Sequence, residues 1–109
     1  MTVYVDTMQA NFKYKNNHYK MSHMIADTEE ELHSFAQSLG LKREWYQDQS
    51  KHKHYDISQS IKKKAIENGA IEVSQKTLAK LSKRKIVEGH CGSLKDIDQW
   101  FKNYCKNKK

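Results

Sequence analysis

Asp6, His23, Asp27, His33 and the run His54-Tyr55-Asp56 carry the side chains in this sequence that could do chemistry. Imidazole beside carboxylate suits two kinds of work, proton transfer near neutral pH and the binding of zinc, iron, manganese or nickel. His54 and Asp56 are alternate residues and share a face if their segment is extended. His23 is expected opposite them, which makes His23, His54 and Asp56 the candidate catalytic residues. Asp6, His33, Tyr55, Ser58 and Lys62 are the candidate ligand contacts. A divalent metal is an open cofactor, with His23, Asp27, His54 and Asp56 as its candidate ligands.

Each feature also has a plain structural use. Asp27 suits a helix cap, His33 a polar helix flank, and His54-Tyr55-Asp56 a loop whose backbone groups it satisfies. The histidine spacing matches no strong zinc signature, and Cys91 and Cys105 do not form a CxxC pair. A magnesium-dependent nuclease would need Asp6, Asp27, Glu31 and Asp56 to converge, which linear order does not show. Nucleophile elbows and glycine-rich phosphate loops are missing.

The elements that must position these groups follow from pattern. Val3, Tyr4 and Val5 predict a short buried strand ending on Asp6, and residues 7–18 read as a loop. In that loop Phe12, Lys13, Tyr14, Lys15, His18, Tyr19 and Lys20 mix basic and aromatic groups, which could cover a ligand or stack on bases. A second strand is expected at about 20–25. Thr28 and Glu31 then fit a capping box, Leu32, Phe35, Ala36 and Leu39 line one helical face, and Gly40 ends it. The spacing predicts a short strand near 43–47, a turn over 47–51, and an extended segment at His54-Tyr55-Asp56-Ile57. Ser58 caps a helix over 59–68 with an exposed Lys62-Lys63-Lys64 run. Residues 70–73 alternate as a strand, and Ser74 caps a helix to about Lys83 whose outer face is crowded by Lys76, Lys80, Lys83, Arg84 and Lys85. Ile86-Val87 reads as an edge strand. Ser93 caps a last helix with Leu94, Ile97, Trp100, Phe101 and Tyr104 on one side, followed by a fraying Lys-rich tail. The two strand-to-helix joins, at His23–His33 and at His54–Ser58, are expected to face one site.

With 109 residues the chain is the size of one domain that folds without staples. No apolar run approaches membrane-span length, and the N-terminus lacks a signal-peptide pattern, so a reduced cytoplasmic protein is expected. A net charge of +7 and a pI near 9.4 favour anionic partners. The helix N-terminus at Ser58-Gln59-Ser60 is the better phosphate site, because Asp27 and three glutamates repel an anion at the first join.

Val3-Tyr4-Val5-Asp6, His23-Met24-Ile25-Ala26-Asp27, Glu31-Leu32-His33-x-Phe35-Ala36, Leu39-Gly40, His54-Tyr55-Asp56-Ile57 and Gly69-Ala70 with Val73 together resemble the small bacterial and phage family known as domain of unknown function 4031. The similarity spans about residues 2–82, leaving a basic helical extension at about 93–109. In place of the aromatic often found before the His23 position in that family, Met21-Ser22 stand here. The resemblance implies a compact α/β domain and no assigned activity. The fold expected is therefore α/β, a single domain with a small mixed sheet of four or five strands and about four helices. The function expected is binding, with hydrolysis where turnover occurs, of a phosphate-bearing nucleotide or nucleic acid. The alternative is a phage-type interaction protein whose basic surface engages an acidic host protein or nucleic acid; a homodimer is also left open.

Overall fold

A computed structural model describes residues 2–7, 10–14, 17–47 and 52–107. Along the chain run β1 (Val3–Asp6), β2 (Ala10–Tyr14), β3 (Asn17–Ala26), α1 (Glu29–Ser38), β4 (Tyr46–Gln47), β5 (His54–Ser58), α2 (Gln59–Glu67), β6 (Ile71–Val73), α3 (Gln75–Glu88) and α4 (Ile97–Asn107). The strands form one mixed sheet in the order β4-β5-β3-β1-β6, with β2 paired to β3. β1 runs antiparallel to β3 and parallel to β6, and β5 is antiparallel to β3. The architecture is the expected α/β domain, with four helices around a small mixed sheet.

Strand alternation sorts the core into two layers. Val3 and Val5 point to one face, where Met24, Ala26, Tyr55 and Ile57 meet Leu32, Ala36 and Leu39 from α1 and its end, with Ala65 of α2. Tyr4 and Ile25 point to the other, against Val73, Leu78, Leu81, Cys91 and Ile97. Asp6 follows Tyr4 by two residues and so falls on the α3 side. Side-chain caps start three helices: Thr28 Oγ1 accepts from Glu31 N, Ser58 Oγ from Ile61 N and Ser74 Oγ from Thr77 N, each contributing about 1 kcal/mol. Gly89, with φ of 86°, takes the left-handed position that stops α3.

Several expectations are corrected. The strand expected at about 20–25 is present but begins at Asn17, and residues 10–14, expected within a loop, form a strand that pairs with it as a hairpin, from Ala10↔Met21 to Tyr14↔Asn17. Among the described residues β2 pairs with β3, off the path of the other strands. Of the segment near 43–47, Arg43–Trp45 is a 3-10 turn and only Tyr46–Gln47 pairs as strand. Ile86 and Val87 belong to α3, where they are exposed, because the helix continues to the stop at Gly89. Lys62 is buried rather than solvated, and so is Arg84. The turn at 48–51, residues 108–109 and the side chains of 12–15 and 17–19 lie outside the described residues. Among the described residues, no helix is long and apolar enough to cross a membrane.

The segment beyond α3 is part of the core. Cys91 and Ile97 are buried against Tyr4 and Ile25. Arg84 makes a two-pronged contact with Asp96, at 2.9 and 3.0 Å, and lies over the Trp100 ring.

Candidate functional site

Three adjacent strands bring the candidate residues into one row. The β1–β3 register continues from Val5↔Met24 toward Asp6 and His23, and β3–β5 pairs His23 with Asp56. His54, two residues before Asp56, shares its face. Asp6 is fully buried. Its Oδ1 accepts from His23 N at 2.9 Å, and its Oδ2 lies 2.8 Å from His23 Nδ1. The carboxylate therefore fixes the proton of His23 on Nδ1 and turns Nε2 outward, 3.7 Å from Asp56 Oδ1.

His54 is oriented in the same manner. Its Nδ1 donates to the His52 carbonyl at 2.7 Å, and its Nε2 stands 3.2 Å from Asp56 Oδ1. The two imidazoles meet edge to face, with ring centroids 4.8 Å apart. Burial opposes charge on His54, yet the hydrogen bonds to Asp56 and the His52 carbonyl and the charges of Asp56 and Asp6 outweigh it, leaving its pKa above the ordinary value. The same hydrogen bond from His54 holds Asp56 below the usual carboxylate range, against its partial burial. Both Nδ1 atoms are thus committed, and two Nε2 atoms converge on one carboxylate oxygen.

The cluster sits where cavities meet. Asp6, His23 and His54 line a cleft of about 200 Å³ with His52 and, from α3, Gln75, Leu78, Ala79 and Ser82. His52 Nδ1 and Ser82 Oγ lie 2.7 Å apart, closing the cleft to one side. His52 and Ala79 also form part of the wall of a neighbouring groove lined by Lys76, Lys80, Lys83, Phe101 and Tyr104. Asp56, on the other flank, also lines a cavity of about 650 Å³ with Trp45, Ile57, Ser58 and Ile61.

The other sequence-derived candidates lie elsewhere. Tyr55 points to the opposite face of β5, where it is buried and its hydroxyl shares a 2.8 Å hydrogen bond with His33 Nδ1. His33 packs edge-on against Tyr46 and is held below its ordinary pKa, first by burial and then by Arg43. This aromatic pair belongs to the α1 layer, so the two joins do not face one site: of the first, only His23 reaches the cluster. Asp27 stands four residues beyond His23, about 13 Å along the strand, and accepts from Cys91 N. Ser58 caps α2 and lines only the second cavity. Lys62 reaches from α2 to the Asp6 carbonyl at 3.5 Å and pairs with Glu72 at 3.1 Å, bracing the end of β1. His52 was not among the candidates. Its alternate spacing with His54 is the signal that points to it.

No curated protein and no solved structure matches the chain. The family model for a protein of unknown function, DUF4031, matches residues 3–85 and so takes in Asp6, His23, His52, His54 and Asp56. The chain is a member of the DUF4031 family.

Proposed function

We propose that the protein binds a phosphate-bearing ligand, a nucleotide or nucleic acid, in the cleft between the sheet and α3 and hydrolyses its phosphoester bond. The observation that carries this reading is the convergence of His23 Nε2, His54 Nε2 and Asp56 Oδ1 beside a cleft that shares His52 and Ala79 with a lysine-lined groove. Lys76 and Lys83 offer counter-charge to phosphates, with Lys83 set over the Tyr104 ring and Lys80, paired with Asp98, over Phe101. The net charge of +7 draws such ligands in. In the reaction a water oxygen bonds to phosphorus, the bond from phosphorus to the leaving oxygen breaks, and that oxygen departs with a proton. The polar cluster is placed to activate the water.

Turnover of a panel of nitrophenyl phosphoesters, nucleotides and short oligonucleotides tests the reading, comparing the native protein with His54→Gln and Asp56→Asn. Loss of about 100-fold or more in both variants, with unchanged circular dichroism, is expected. Equal turnover in both would overturn it. Salt-sensitive oligonucleotide binding with no turnover by the native protein would reduce it to a binding module.

A further inference from the structure

The geometry points to a divalent transition-metal site made by His23 Nε2, His54 Nε2 and Asp56 Oδ1, with Asp6 and the His52 carbonyl as the groups that orient the two imidazoles. It deepens the proposed function, because it concerns the same cluster, but it stands on donor geometry rather than on turnover.

The first support is the direction of the lone pairs. Each Nδ1 faces an acceptor, Asp6 Oδ2 for His23 and the His52 carbonyl for His54. In the neutral imidazoles the proton is therefore on Nδ1, and both Nε2 atoms present lone pairs. Asp56 Oδ1 presents a third. Three acceptors facing one another repel unless a proton, as in the His54–Asp56 hydrogen bond, or a metal cation that displaces it stands among them.

Distance is the second. The three ligand atoms lie within 4.8 Å of one another. Two donors about 2.1 Å from a shared ion are about 3.0 Å apart at a right angle and about 3.4 Å apart at the tetrahedral angle. The observed 3.2 Å and 3.7 Å to Asp56 Oδ1 bracket the tetrahedral value, while the two imidazole nitrogens, within 4.8 Å of each other, reach about 3.4 Å only when the rings rotate toward each other around the ion.

The third is the buried carboxylate behind His23. A carboxylate on the far nitrogen of a ligating histidine both fixes its tautomer and raises its basicity, and the fully buried Asp6 occupies that position. Two imidazoles and one carboxylate favour zinc, iron, manganese or cobalt over calcium or magnesium. Three protein ligands leave at least one position for water or a phosphate oxygen, and the adjoining cleft gives it room.

The test uses the metal alone on the full chain: zinc titrated by calorimetry and cobalt followed by its visible absorption. One equivalent per chain is expected, with cobalt bands of a four- or five-coordinate site. His54→Gln and Asp56→Asn should abolish both signals, while His90→Gln, at an exposed histidine outside the cluster, should leave them unchanged. Asp6→Asn is a positioning variant and should weaken binding about 10- to 100-fold with ligation retained. Circular dichroism and thermal melts confirm that each variant is folded; should one unfold, the native protein's stoichiometry and cobalt spectrum decide. No saturable binding, or equal binding in the His54 and Asp56 variants, overturns the site. Metal binding without phosphoesterase turnover would overturn the proposed hydrolysis and leave the site standing. Turnover by a protein that shows no saturable zinc or cobalt binding would do the reverse.

Discussion

Asp6 grips His23 twice, one carboxylate oxygen on its backbone amide and the other on its ring. The fully buried side chain thereby ties β1 to β3 at the level where β3 meets Asp56 of β5. Asp6→Ala leaves a buried amide and an imidazole nitrogen without their acceptor, and a loss of about 2–4 kcal/mol is expected. Urea unfolding measures it. Asp6→Asn, which keeps one acceptor, should lose less.

The two cysteines should separate cleanly toward an alkylating reagent. Cys91 is buried, and its thiol is pushed up to about 12 by burial first and then by Asp27. Cys105 is exposed. Since the thiolate is the reactive form, mass spectrometry at neutral pH should show one adduct on the native protein, at Cys105, and two in denaturant. Fast labelling of Cys91 in the native protein would contradict its place in the core.

His33 should give the fold a pH dependence of definite sign. Its pKa is lowered from 6.5, chiefly by burial, so the folded state favours the neutral ring. The stability linked to that preference is complete above 6.5 and is lost as pH falls from there through the folded pKa, because the unfolded chain binds the proton first. Urea midpoints measured downward from neutral pH should therefore fall more steeply in the native protein than in His33→Gln.

Gly92 holds open the space that Arg84 fills. Its φ of 72° disfavours any side chain, and a Cβ there would meet the Arg84 guanidinium at 2.5 Å. Arg84 is buried and forked to Asp96, so it cannot swing aside cheaply. Gly92→Ala should destabilise the protein by about 1–3 kcal/mol, read by thermal melting. Arg84→Ala combined with it should cost less than the sum of the two single changes.

How much of this was legible depends on the range of the interaction. The caps at Thr28, Ser58 and Ser74 and the stop at Gly40 are written within a few residues and read directly. So was the separation of Tyr55 from His54 and Asp56, since strand alternation alone sends it to the other face; grouping it with them overlooked that rule. The meeting of Asp6 with His23 depends on the β1–β3 register, which no local pattern states. Lys62 misled because three lysines in a row read as a solvated face, while the helix turns the first of them beneath the end of β1. Ile86 and Val87 looked like strand by residue type, yet the chain stays helical up to Gly89.

The family match stops at residue 85, inside α3, but the groove beside the cluster is walled partly by Phe101 and Tyr104 of α4. The His23–His54–Asp56 cluster and the lysines of the groove thus lie inside the shared portion, and the groove's aromatic side comes from outside it. Such a seam lets one side of the groove be rebuilt by exchange of the C-terminal helix while every residue of the cluster stays in place.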